Sequence, residues 1–155
     1  MDTATKPVGL IGLGLMGMAC AKRMRGAGLP LLGYDIDTKK IDGLVKLGGA
    51  GATSLAQIAT ECDQVVLAVF NTDQVEETVD ALVKARPAGK PALIACCVST
   101  CDPDRIAALV ARTPADKLRY VESPVSGTSD QTEKGDALGM IGGDPAAAEI
   151  GRAHV

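Results

Sequence analysis

Three glycines and one acid are spaced in this chain so that together they could do chemistry. Gly12, Gly14 and Gly17 stand within the run Gly9-Leu10-Ile11-Gly12-Leu13-Gly14-Leu15-Met16-Gly17, and Asp35 follows 23 positions after Gly12. The first glycine of such a set permits a tight turn. The second lets backbone approach a pyrophosphate, and the third lets a helix pack closely on a strand. A carboxylate about 20 residues further on can accept hydrogen bonds from a ribose. The pattern predicts an adenine dinucleotide held by Gly12, Leu13, Gly14, Leu15, Met16, Gly17 and Asp35. Glycine alone more often serves turns and caps, and the chain has 18 of them, so the flanking elements must decide.

Those elements fit. Val8, Leu10 and Ile11 form a short apolar run suited to a buried parallel strand, and a helix starts near Met16 with its free N–H groups aimed at the phosphates. A second apolar run, Leu31-Leu32-Gly33-Tyr34, ends on Asp35. Thr38–Leu47 is then an amphipathic helix with Ile41, Leu44, Val45 and Leu47 inward, closed by Gly48 and Gly49. Ser54 and Gln57 fit a capping box for a short helix through Ala59. Gln64–Ala68 is a strand, Phe70-Asn71-Thr72 a turn, and Asp73–Lys84 a helix with Val75, Val79, Leu82 and Val83 on one face. Ala92–Cys97 is a strand. Asp102 and Pro103 open a helix carrying Ile106, Leu109 and Val110. Leu118–Glu122 and Ala137–Ile141 are further strands, the last closed by Gly142-Gly143. Strands alternating with helices predict an α/β, doubly wound, mostly parallel sheet of the Rossmann type. Ligands of such sheets lie beyond the carboxyl ends of the strands. That brings Gly12–Gly17, Asp35, Phe70–Asn71, Ser99–Thr100 and Ser123–Gly127 to one rim.

Asp35 also bears on cofactor choice, since its charge repels the 2′-phosphate of NADP. Ile36 stands where an arginine would attract that phosphate, and Asp37 adds negative charge. Lys39 and Lys40 could swing toward a phosphate, although helix lysines usually face water. NAD is therefore favoured, with NADP as the alternative.

The 155 residues fit one domain, and 46% hydrophobic with 23% charged residues is ordinary for a globular protein. Three aromatic residues (Tyr34, Phe70, Tyr120) and a net charge of −3 argue against a nucleic-acid partner. No apolar run approaches the roughly 20 residues of a membrane span, and Met1–Lys6 does not resemble a secretory leader, so a soluble intracellular protein is expected. Cys20, Cys62, Cys96, Cys97 and Cys101 lack a C-x-x-C pattern and read as reduced structural thiols, with no metal site.

The segment Gly9–Gly17, with its Met16-Gly17 pair, resembles the opening of the β-hydroxyacid dehydrogenases. That family includes 3-hydroxyisobutyrate, tartronate semialdehyde and L-threonate dehydrogenases, with 6-phosphogluconate dehydrogenase as a relative. Glu122-Ser123-Pro124-Val125-Ser126-Gly127, followed by Gly135 and Gly142-Gly143, is similar to the family's substrate segment D-A-P-V-S-G-G-x-x-x-A-x-x-G. Val98-Ser99-Thr100-Cys101-Asp102-Pro103 resembles the segment whose threonine lies near the nicotinamide. The resemblance implies hydride transfer between the nicotinamide and a small 3-hydroxy acid. It also implies that Ser126 and Gly127 hold the substrate carboxylate, while Phe70, Asn71 and Thr100 line the cofactor pocket. Left to the residues alone, Ser126 reads as a loop hydroxyl bonding its own backbone.

Departures from the family pattern are Glu122 for Asp, Thr128 for the second Gly, and Gln131-Thr132 for small residues. A β-branched Thr128 disfavours positive φ, so a substrate loop of altered shape is expected. Family members are about twice as long. The resemblance places their general acid/base lysine on a helix after the nucleotide domain, in a helical domain that also dimerises. Residues 7–148 are therefore expected to be the NAD(P)-binding domain of a truncated chain, inactive alone, whose full-length form is a homo-oligomer. Glu149-Ile-Gly-Arg-Ala-His-Val155 matches an in-frame translation of a common sequencing adapter and is expected to be a non-native tail. The alternative reading is a non-catalytic NAD-binding regulatory module. A short-chain dehydrogenase would need Tyr-x-x-x-Lys, whereas Tyr34 and Tyr120 are followed four positions later by Thr38 and Pro124.

Overall fold

The structure, a computed structural model, describes residues 5–152; Ala153–Val155, the end of the expected tail, lie outside the described residues. In chain order come β1 (Val8–Ile11), α1 (Leu15–Gly26), β2 (Leu31–Tyr34), α2 (Thr38–Lys46), β3 (Ala50–Gly51) and α3 (Leu55–Glu61). They are followed by β4 (Gln64–Leu67), α4 (Thr72–Ala85), β5 (Leu93–Cys97), α5 (Pro103–Arg112) and β6 (Leu118–Glu122). The chain then makes β7 (Val125–Ser126), α6 (Ser129–Lys134), β8 (Leu138–Gly139), β9 (Gly142–Gly143) and α7 (Pro145–Arg152).

Seven strands form one sheet in the order β3-β2-β1-β4-β5-β6-β9. All pairings in it are parallel except β6 with β9. The strand order reverses between β1 and β4, and at such a switch point the loops leaving two neighbouring strands diverge and open a crevice. The doubly wound α/β fold expected from the sequence is the one observed.

Period-two alternation builds the two faces. Leu10 packs under α1 and α2 while its neighbour Ile11 packs under α3 and α4; Val65 and Leu67 face the second layer and Val66 the first. In β5 and β6, Leu93, Ala95, Leu118 and Tyr120 join the α3–α5 face, and Ile94 and Val121 meet Ala147 of α7 on the other. With so few aromatics, the fully buried side chains are mostly Leu, Ile and Val.

Short polar caps start the helices. Asp37, Ser54, Asn71 and Asp102 accept the N–H of Lys39, Gln57, Gln74 and Asp104 respectively. Arg86, at the end of α4, was not anticipated as a core residue. Its side chain is fully buried and bridges the carbonyls of Ala59, Cys62 and Pro91 and the Asp63 carboxylate. It ties α3, β4 and the approach to β5 together at the end of the sheet away from the crevice.

The structure differs from the sequence reading in several places. Val45, placed inward, is half exposed at the margin of its helix's apolar face, and Val110 of α5 is likewise exposed. Ala50–Gly51 forms a two-residue edge strand beside β2 that carries no apolar signal. The single strand expected over Ala137–Ile141 is divided. Leu138–Gly139 pairs with β7 in a separate two-stranded sheet, whereas Gly142–Gly143, expected only to close it, pairs with β6 in the main sheet. Between β7 and β8 lies α6, a helix absent from the sequence reading.

Candidate functional site

The crevice at the β1/β4 switch point has a volume of about 590 Å³. The glycine loop, the ends of β2 and β4, and the first half of α4 enclose it. Gly12 turns at φ +90°, and a Cβ on it would lie 2.5 Å from the Ala68 carbonyl oxygen, so the loops leaving β1 and β4 nearly touch. Gly17 packs α1 against that turn so closely that a Cβ would come within 1.9 Å of the Gly12 oxygen. Gly14 differs: a Cβ there would meet open space. No side chain caps α1 at Gly14, which leaves its first-turn N–H groups for a ligand. The first and third glycines are fixed by protein contacts, the second by room for something else.

Asp35 sits at the far end of the crevice with its side chain 8% exposed. One oxygen accepts the Leu13 N–H at 2.7 Å and the other the Asp37 N–H at 2.9 Å, with the Lys40 ammonium 3.9 Å away. These donors fix the carboxylate, and an ionised carboxylate has lone pairs left for further donors. Leu13, expected among the cofactor contacts, buries its side chain in the core beneath α2 and holds Asp35 through its backbone. Lys40, one of two lysines considered for phosphate, reaches the crevice wall; Lys39 is not among its lining residues.

The rim pairs polar atoms with exposed apolar side chains. Leu15, Ile36 and Phe70 are 80%, 87% and 90% exposed, and all three line the crevice together with Met16. Apolar walls around a few fixed polar groups suit a ligand with flat rings and a charged middle. Gln74, Glu77, Thr78 and Leu55 also line it, and the sequence reading missed them. Gln74 and Thr78 are four apart on α4, and Gln74 accepts the Phe70 N–H at 2.8 Å. That helical spacing after an Asn71 cap was the available signal.

Other predicted residues serve neighbouring loops. Asn71 is outside the crevice lining and caps α4, its Oδ1 accepting the Gln74 N–H at 2.9 Å. Thr100 is exposed on the loop after β5. That loop is tied to the one after β4 by Ser99, whose hydroxyl donates to the Val69 carbonyl at 2.6 Å. The Ser123 N–H donates to the Cys97 carbonyl at 2.7 Å, which joins the next loop along the rim. Ser126 and Gly127 are exposed beyond β6, and Gly127 has φ +148°. Thr128 is extended at φ −83° and forms a reciprocal capping box with Gln131. Two departures from the family pattern, Thr128 and Gln131, thus work together to start α6, while the retained Gly127 takes the positive φ.

The thiols stand as expected, as free cysteines. Burial pushes Cys20 and Cys62 up to about 11, with help from Cys96 in the first case and from Glu61 and Asp63 in the second. Among the described residues no group of three or more potential ligands could hold a metal, and no helix is long and apolar enough to cross a membrane.

Comparison with known proteins bears on this geometry. The family described as the NAD binding domain of 6-phosphogluconate dehydrogenase matches residues 7–153. The chain belongs to this family. L-threonate dehydrogenase of Cupriavidus necator is 28% identical to this NAD-binding domain over 144 residues, 93% of the chain and 48% of that enzyme. The 3-hydroxyisobutyrate dehydrogenase of Pseudomonas aeruginosa is 32% identical over 139 residues, 88% of the chain and 46% of the enzyme. A solved 3-hydroxyisobutyrate dehydrogenase from Salmonella typhimurium superposes with a TM-score of 0.81 at 29% identity, covering 92% of the chain and 50% of that structure. The chain spans about half the length of the curated relatives it matches.

Proposed function

We propose that residues 7–148 are the coenzyme-binding half of a dehydrogenase acting on small 3-hydroxy acids, hydroxyisobutyrate-like or threonate-like, and that 149–155 are not native sequence. One observation carries the reading. At the β1/β4 switch point, an uncapped helix N-terminus and the open space before Gly14 face a crevice that ends on a fixed, nearly buried carboxylate. The donor set fits a nicotinamide dinucleotide. The Gly14–Met16 backbone would take the pyrophosphate, Asp35 the adenosine ribose, and Leu15, Ile36 and Phe70 the ring faces. Bound there, the coenzyme supplies a two-electron hydride acceptor.

Around it, Thr100 would border the nicotinamide end. Ser126 and the Gly127 N–H would fix the substrate carboxylate, so that the alcohol carbon faces the coenzyme. Losing a hydride from an alcohol also requires a group to take the hydroxyl proton. Lys40 is the one cation among the described residues lining the crevice, and it attends Asp35 at the ribose end. The family resemblance places that proton acceptor, a lysine, on a helix after the nucleotide domain. NAD is favoured because Asp35 stands where a 2′-phosphate would lie, although Lys40 softens that repulsion.

Calorimetric titration with NAD and NADP tests the reading. NAD should bind at least several-fold tighter than NADP. Absence of heat with both coenzymes would sink the proposal, and tighter NADP binding would reverse the cofactor assignment. Sequencing the gene past codon 148 tests the domain boundary.

A further inference from the structure

The excursion from β7 to β8 has little of its own to hold it. Its strands pair only with each other, apart from the main sheet, and α6 contributes no buried residue. What it packs on is α1. The Thr132 hydroxyl lies 3.5 Å from the Met16 sulfur, and the Lys22 ammonium lies 2.9 Å from a Glu133 carboxylate oxygen. The Arg23 guanidinium covers Gly135 so closely that a Cβ there would sit 2.6 Å from its Cζ.

The same small helix controls the loop that precedes it. Gln131 Oε1 accepts the Thr128 N–H at 2.8 Å and lies 3.1 Å from where a Cβ on Gly127 would be. Gln131 therefore braces the backbone beside Ser126 and Gly127. At the other end of the chain of contacts, Met16 lines the coenzyme crevice while it touches Thr132. One side chain has the crevice on one side and α6 on the other.

We propose that α6 is a coupling element, and that Thr132 is a positioning residue through which occupancy of the crevice orders the Ser126–Gly127 loop. The inference rests on the coenzyme reading above and adds to it a direction of communication between the two half-sites. A ligand that fixes Met16 and the first turn of α1 limits the motion available to Thr132. Through the Thr128–Gln131 capping box, that limit extends to the Ser126–Gly127 backbone. Coupling of this kind needs no large displacement, only loss of freedom in a helix that buries no side chain of its own.

Amide hydrogen exchange of the chain, with and without saturating NAD, tests this. In the wild type, amides of residues 126–135 should exchange about fivefold more slowly with NAD bound, the lower end of ordinary coupling between sites. Thr132→Lys drives a long cation against Met16. It should abolish that protection while leaving the exchange of β1, β4 and β5 and the melting temperature unchanged, and Thr132→Ser should retain it. A merely structural role for Thr132 would alter exchange in the free chain and leave the NAD-dependent difference intact. Heat of binding without protection of residues 126–135, or protection that survives Thr132→Lys, overturns the inference and leaves the coenzyme reading standing. No heat with either coenzyme overturns both.

Discussion

Replacing Asp35 with alanine separates two duties of one carboxylate. In the folded chain it receives the Leu13 and Asp37 N–H groups at 2.7 and 2.9 Å, with its side chain 8% exposed. The Asp37 N–H lies at an exposed position and water can replace the lost acceptor. The Leu13 N–H belongs to a residue only 2% exposed, so leaving it unpaired costs about 1–3 kcal/mol, and we expect the lower half of that range in urea unfolding. The second duty is toward the ligand. Hydrogen bonds to a charged acceptor contribute about 1.5–3 kcal/mol, so the Kd for NAD should rise about 10- to 150-fold. Asp35→Asn divides the two effects further: it keeps an acceptor for Leu13 and removes the charge. Its stability should stay near wild type while the preference for NAD over NADP narrows. Calorimetry with both coenzymes, beside urea unfolding of each variant, gives the comparison. An Asp35→Ala chain that is folded and binds NAD within twofold of wild type would refute the reasoning, as would an unchanged NADP-to-NAD ratio in Asp35→Asn.

Arg86→Met should cost about 3–5 kcal/mol in urea unfolding, because it leaves the carbonyls of Ala59, Cys62 and Pro91 facing an apolar side chain. A loss below 1 kcal/mol, within the range of an ordinary surface change, would contradict the buried bridge. Partial burial pulls the Asp63 carboxyl up, but hydrogen bonds from Lys6 and Arg86 outweigh it and hold the group below its ordinary value. A lowered folded-state value stabilises the fold above the unfolded carboxyl range and loses that contribution as pH falls through the folded value. The urea midpoint of the wild type should therefore drop more than that of Asp63→Asn on acidification below about pH 4. Cys20 and Cys62, held up to about 11, should react with a thiol reagent at pH 8 far more slowly in the folded chain than in urea. Equal rates would show that neither thiol is protected.

The main sheet was legible because its central strands carry apolar runs, as in Val65-Val66-Leu67, and α2 to α5 each begin at a short polar cap. The parts that escaped lack those signals. Ala50–Gly51 pairs for two residues on an exposed edge. Polar residues surround α6, so no apolar period marks it, and Thr128 with Gln131 registered as a departure from a pattern rather than as a helix start. Arg86, followed by Pro87, reads as a surface residue closing a helix; only the three carbonyls that converge on it in space make it internal. At the crevice, the glycines and Asp35 were readable from spacing. Leu13's true task was not, because a backbone donor leaves no mark in residue type.

The two tyrosines occupy contrasting surroundings, Tyr34 in the crevice wall and Tyr120 in the core, and the chain contains no tryptophan. Tyrosine emission from this molecule thus comes from just two phenols, one in the crevice wall and one in the core. Arrival of a reduced nicotinamide would dim the first far more than the second, giving the domain an intrinsic optical gauge of its own occupancy without any attached dye.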